Sequence, residues 1–314
     1  MGFFKTGWLL LKDTVNEWLE DKAARLAAAL AYYAMFSLAP LIIIILAITG
    51  MIINPAQVET YMTHQAQGLV GPEGAKLIDT IAKNTSQPSS SITGAIVGFS
   101  ILIFGATGVF AQLQDALNTI WEVQPDPERG FMNLVRARFM SFLMILGIGF
   151  WVLVSLLLST ALAALTQYLT NVIPFDIGVG QIVDLVVSFG VFTFLFGAIF
   201  KVLPDVKIEW RDVWVGAAVT ALLFVLGKYL IGLYLGTKSF SSTYGAAGSI
   251  LVLLLWVYYS AQILLFGAEF TQVYARRFGS RLVPAEGAVR VTSNLESQEA
   301  PQTDNGSGQP EKLG

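Results

Sequence analysis

The sequence predicts an all-α, polytopic membrane protein with six transmembrane helices, an N-terminal interfacial helix and an extracytoplasmic helical cap. Of its 314 residues, 54% are hydrophobic and 13% charged, with a mean hydropathy of +0.63, where soluble domains carry roughly 25% charged residues. Uncharged runs recur six times, at 26–58, 84–114, 139–175, 185–200, 213–227 and 239–268, and a helix needs only about 20 apolar residues to cross the hydrocarbon layer. The basic residues are segregated: 15 of the 19 Lys and Arg fall on one side of six crossings. By the positive-inside rule that side is cytoplasmic, so both termini are expected in the cytoplasm.

Residues 1–20 read as an amphipathic helix lying along the headgroups. Phe4, Trp8, Leu11, Val15 and Trp18 form one apolar stripe, while Lys5, Lys12, Asp13, Glu20 and Asp21 fall largely off it. The mixture of acids and bases over 3–25 argues against a cleaved signal peptide. Residues 21–278 are expected to form the transmembrane domain. Asp21 offers an N-cap for a first span over 22–53, and Pro40 should kink that helix by removing a backbone donor. The 54–92 stretch is too long for a simple turn. Helical periodicity from Gly74 to Lys83, with Pro72 and Glu73 as start signals, predicts the extracytoplasmic cap, and Asn84 to Thr93 a linker. The remaining spans are placed at 93–121, 138–169, 181–202, 213–236 and 246–275. After Arg281 the composition turns to Gly, Ser, Gln, Pro and Glu, so 279–314 is expected as a disordered cytoplasmic tail.

A weak internal repeat links Ile120-Trp121-Glu122-Val123-Gln124-Pro125-Asp126, after the second span, to Ile199-Phe200-Lys201-Val202-Leu203-Pro204-Asp205, after the fourth. A parallel duplication and convergent turn chemistry both account for it.

Polar side chains inside spans are costly and normally face a partner or a wet cavity. In the second span Gln112, Asp115 and Thr119 share a face, with Gln114 and Asn118 beside it. In the sixth, Tyr258, Gln262, Glu269, Gln272 and Arg276 make another. The two stripes either line a shared cavity or act as interhelical glue, with Asp115 and Glu269 close enough to the helix ends to snorkel or to pair with Arg276, Arg277 or Lys201. Lys228 is the sole cation deep in a span. Asp184 is its expected partner, as a structural or a gating ion pair. Ala24, Ala27, Ala28, Ala31 and Ala34, Gly94 with Gly98, Gly105 with Gly108, and Gly245 with Gly248 allow close helix contact, and Gly227 and Gly232 mark packing or local unwinding.

The net charge of −3 offers no basic surface to nucleic acid, there are no cysteines, and His64 is the single histidine. No P-loop, dinucleotide fingerprint, HExxH or nucleophile elbow occurs. No catalytic residue, metal or cofactor is therefore expected. Partners are expected to be membrane lipids and an unidentified cargo, and a homo-oligomer is compatible with the chain.

Several stretches resemble the YihY/BrkB family of bacterial inner-membrane proteins over roughly residues 8–278. They are Ala27 to Tyr33 with Phe36-Ser37-Leu38-Ala39-Pro40, the segment from Asn118 to Trp121, and Leu203-Pro204-Asp205. Most specific is Tyr244-Gly245-Ala246-Ala247-Gly248 through Trp256, Tyr258, Tyr259 and Gln262 to Gly267-Ala268-Glu269-Phe270. The resemblance implies a six-helix fold in the bacterial inner (cytoplasmic) membrane, a link by name to serum resistance, and transport of envelope lipid or other amphipathic cargo. A ribonuclease label carried by some members is opposed here by the single histidine and the lack of a basic groove. A transporter or flippase is thus the leading expectation, with Asp115 and Glu269 coupling protons or holding a cationic part of the cargo. A non-transporting envelope scaffold is the alternative, and an enzyme acting on membrane lipid ranks third.

Overall fold

The computed structural model describes residues 2–49, 55–85, 108–126, 177–237, 247–279 and 283–291. The third span expected at 138–169, the first part of the second span with Gly94, Gly98 and Gly105, Gly245, and the tail from 292 lie outside the described residues. The described residues form seven helices: α1 Gly2–Glu20, α2 Ala23–Thr49, α3 Pro55–Thr85, α4 over 108–120, α5 Ile177–Val202, α6 Trp210–Thr237 and α7 Ala247–Phe278. Among the described residues, three stretches are long and apolar enough to cross a membrane: Ala23–Ile42, Trp210–Gly232 and Gly248–Phe278. They coincide with the first, fifth and sixth expected spans. Ser188–Val202, in the fourth, is a shorter apolar helix.

α1 and α2 are separated by a two-residue turn. Asp21 N–H donates to Glu17 C=O at 2.9 Å and Lys22 N–H to Leu19 C=O at 3.2 Å, with Lys22 in the left-handed region at φ 54°. That conformation closes one helix and lets Arg25 N–H start the next on Lys22 C=O at 2.8 Å. Asp21, expected as the N-cap, instead turns its carboxyl towards Glu269. Along α1, Leu10 and Thr14 are buried against the protein, and Trp8, Leu11, Val15 and Leu19 face outwards. α2 remains helical through Pro40, which is buried.

The stretch expected to hold a short cap helix from Gly74 is one helix of 31 residues with Pro72 inside it. Pro72 does not start a helix, because Val58, Ala66 and Ala75 are buried along its length and packing outweighs the one lost backbone bond. α3 lies against α2, α7 and α6.

α7 is the central helix, packed on α6, α2, α1 and α3. The core joins Leu117, Ile120 and Trp121 of the α4 end, Phe196 and Phe200 of α5, Val213, Ala217 and Ala221 of α6, and Leu265 and Ala268 of α7. Phe192, Phe196, Phe224 and Trp256 interlock their rings across α5, α6 and α7, with centroids 4.7–6.3 Å apart. Gly227 is a packing glycine. α6 runs unbroken through it, and a Cβ there would lie 2.6 Å from Ile263 Cδ1 and 3.0 Å from Tyr259 Oη.

The expected disordered tail requires a correction over its first part. Among the described residues four short strands, β1 Val123–Pro125, β2 Val206–Lys207, β3 Val283–Pro284 and β4 Ala288–Arg290, form two antiparallel pairs, β1 with β4 and β2 with β3. Asp126 N–H donates to Gly287 C=O and Ala285 N–H to Asp205 C=O, both at 2.9 Å. The segment after α7 is thereby stitched to both Pro-Asp turns of the internal repeat. Backbone pairing needs no large apolar side chains, so composition does not register it.

Candidate functional site

At Glu269 the polar face of α7 turns away from α6, whereas Gln262 lines a pocket with Leu223, Leu226 and Leu230 of α6. Gly267 and Thr271 lie against α6, and Glu269, two residues from each, projects to the opposite side at about 200° of rotation. Glu269 is 0% exposed and Gln272 1%. Neither Glu269 oxygen meets an N–H or O–H donor among the described residues, and the same holds for Oε1 of Gln262 and Oε1 of Gln272. Gln272 Nε2 donates to Ile120 C=O at 2.6 Å, which ties α7 to the end of α4. The result is a seam of acceptor oxygens along one helix face, buried but without donors.

The titratable group that faces Glu269 is Asp21, whose carboxyl feels it, with no hydrogen bond between the two. The Asp21 carboxyl is pushed up from 3.8 to about 6, first by burial, then by the neighbouring charges of Glu17 and Glu122, with Glu20 adding to these and the Glu269 side chain opposing them. Beside this pair Arg276 donates to Glu17 at 3.0 Å and also to Glu122, while Arg277 donates to Asp13 at 3.2 Å. α1, the α4 end and α7 are thus joined by one ionic cluster. Glu122, like Lys22, adopts the left-handed conformation at φ 54° to end its helix, which brings its carboxylate to Arg276.

The folded state holds the Asp21 proton more tightly than the unfolded chain does, so stability falls as pH rises between about 4 and about 6 and stays lower above. Asp21→Asn should therefore stabilise the protein at pH 7–8, by about 1–2 kcal/mol once solvent screening is allowed for at this half-buried group. Below about pH 4 the difference from wild type should vanish. Thermal midpoints of both proteins across this range test it, and a pH-independent difference would refute it.

The other sequence-singled residues are distributed as follows. Asn118 is buried and commits its amide to Asp205: Nδ2 donates to Asp205 Oδ2 at 3.0 Å and Oδ1 accepts from Asp205 N–H at 2.8 Å. Gln114 Nε2 adds a third bond to Asp205, at 3.0 Å. Asn118→Ala is expected to cost about 2–3 kcal/mol, since it strips a charged acceptor of buried partners. Thr119→Ala, at an exposed hydroxyl bonded to Asp115 C=O in its own helix, should stay within about 0.5 kcal/mol. Equal thermal midpoints for the two variants would disprove the clamp. Gln112 is half-buried and Asp115 exposed, so Asp115 does not share the buried environment of Glu269. Tyr258 packs against the core. Lys228 lies 5.5 Å from the ring centroid of Tyr229, and the side chain of its expected partner Asp184 lies outside the described residues.

Asp21 and Glu17, which act on Glu269, lie outside the polar stripes that helix periodicity marks. The available signal was the run of acids at the α1–α2 junction, at the membrane end where α7 carries Glu269 and Arg276.

Curated relatives are named UPF0761 membrane proteins. One from Pseudomonas aeruginosa is 28% identical over 306 residues, covering 92% of this chain and 69% of that protein. One from Mannheimia succiniciproducens is 28% identical, covering 89% of this chain and 93% of its own, and one from Alteromonas mediterranea is 28% identical, covering 80% and 83%. No solved structure matches the chain. The family model described as Virulence factor BrkB matches residues 14–291, from the middle of α1 through β4, and with most of its length so matched this integral membrane protein belongs to the YihY/BrkB family.

Proposed function

We propose that this protein is a six-helix inner-membrane transporter or flippase that moves lipid or other amphipathic envelope cargo, with both termini in the cytoplasm. The observation that carries the reading is the α7 seam, in which Gln262, Glu269 and Gln272 present buried oxygens with no donor among the described residues. A buried acceptor without a donor costs about 1–3 kcal/mol, and such a cost is typically kept where function uses it. Donors that fit are a proton, water, or an ammonium group of the cargo. No cluster of metal-ligating side chains is present among the described residues.

The chain is naturally free of cysteine, so single cysteines report accessibility directly. Gln112→Cys, Tyr258→Cys and Gln262→Cys are expected to react with a membrane-impermeant thiol reagent in inverted vesicles, as should a control cysteine in the 122–138 loop. Protection of all three with the control labelled would mean a packed polar seam. It would favour the scaffold reading.

A further inference from the structure

A cavity lies apart from the α7 seam. It encloses about 880 Å³ between the first half of α1, the start of α6 and the C-terminal end of α7, within the ~300–1,000 Å³ typical of small-ligand sites. Its walls differ in chemistry. One is an aromatic ladder on α7, where Phe270, Tyr274 and Phe278 follow at four-residue steps with centroids 6.3 and 5.6 Å apart. The other carries Glu209, Arg211 and Asp212. Glu209 and Arg211 are exposed, while Asp212 is 3% exposed and held against the Gly279 backbone, where a Cβ would collide with its carboxylate.

The cavity sits at a defined depth. It lies where one candidate span begins at Trp210 and another ends at Phe278. Trp8, Trp210 and Trp214 surround this end with outward-facing indoles, exposed by 67%, 49% and 40%. Tryptophans gather at the headgroup level of a bilayer. The molecules present there in bulk are phospholipids, and the charges of the cavity discriminate among them. A guanidinium matches a phosphate as a two-pronged donor. The exposed Glu209 carboxylate beside it disfavours a headgroup that brings no cation and calls for a cation able to donate hydrogen bonds. A primary ammonium donates; a trimethylammonium has no N–H to give.

We propose that this cavity binds the headgroup of a phospholipid bearing a primary ammonium, such as an ethanolamine lipid, with the phosphate on Arg211, the ammonium against Glu209, and the glycerol end along the aromatic ladder. The binding does not depend on the transport reading, since it is measured without translocation. An α7 seam that proved closed to water would leave it standing.

The test uses the full chain in nanodiscs of equal parts ethanolamine, choline and glycerol phospholipid, with co-purified lipid read by native mass spectrometry. Wild type should retain the ethanolamine lipid about ten-fold over each of the others, a difference typical of charge-assisted hydrogen bonds. Glu209→Gln with Arg211→Gln, both at exposed positions, should abolish that preference with the thermal midpoint unchanged. Equal retention of the three lipids, or a preference surviving the double variant, overturns the proposal. So does soluble phosphoethanolamine binding as tightly as the lipid, because the aromatic wall would then contribute nothing.

Discussion

Gly216→Ala and Gly267→Ala are each expected to destabilise the protein by about 2–3 kcal/mol, through overpacking of the α6–α7 crossing. A Cβ on Gly216 would fall on Thr271, 2.7 Å from its Cβ and 2.8 Å from its Cγ2, and a Cβ on Gly267 would fall on Thr220 at 2.8 and 2.7 Å from the same atoms. Each threonine is buried, and each returns its hydroxyl to the glycine four residues back in its own helix, Thr220 to Gly216 C=O at 2.7 Å and Thr271 to Gly267 C=O at 2.6 Å. The two helices thus carry the same Gly-x-x-x-Thr unit and dock glycine to threonine in both directions. This is the close approach that small residues permit between membrane helices. Gly190→Ala and Gly232→Ala are the matched controls, because nothing lies within 4 Å of a Cβ at either site; there helix propensity alone should give a gain of up to about 1 kcal/mol. The thermal midpoint in detergent should drop on the order of 5 °C for the crossing variants. Thr271→Gly should recover part of the loss in Gly216→Ala, with a coupling of at least about 1 kcal/mol. If Gly216→Ala melts with Gly190→Ala, the interlock is not tight and the account of this crossing fails.

Hydropathy marks the long apolar helices of the described residues: Trp210–Thr237 covers the expected 213–236 and Ala247–Phe278 the expected 246–275. Periodicity places Gln262, Glu269 and Gln272 on one face of α7, and each has a buried oxygen without a donor among the described residues. What periodicity cannot supply is the neighbour of a face. Gly216 and Gly267 acquire meaning only when α6 lies on α7, and Asp21 only when the α1–α2 turn lies on Glu269. Asn118 illustrates the same limit. It belonged to a polar stripe by position, yet its partner is a turn 87 residues away, in a loop joined by backbone bonds to the segment after α7. Local signals were also overridden where packing was strong, as at Pro72 inside α3.

Glu269→Gln is expected to separate stability from activity, raising the first and removing most of the second. The wild-type carboxyl has no donor among the described residues and a second carboxyl, Asp21, before it. Glutamine keeps the shape, brings an N–H donor to Asp21 and removes one member of an acidic cluster that also contains Glu17 and Glu122. Relief of an unpaired buried acceptor should contribute about 1–3 kcal/mol of stability. The same amide cannot take up and release a proton, nor offer a full negative charge to an ammonium group, so translocation of a fluorescent lipid in proteoliposomes should fall at least about ten-fold if Glu269 is the coupling group. Asp115→Asn is the contrast, since Asp115 is exposed and remote in environment from Glu269; it should change stability by less than about 0.5 kcal/mol. A Glu269→Gln protein that inserts normally, melts higher and still translocates at the wild-type rate would leave the buried carboxyl as a packing defect. A protein that melts lower and moves nothing would show that Glu269 has a donor partner in the fold and is structural. Only higher stability together with lost transport matches a carboxyl kept unsatisfied for use, and the interlock of Gly216 with Thr271 and Gly267 with Thr220 is what fixes its aim by fixing the rotation of α7.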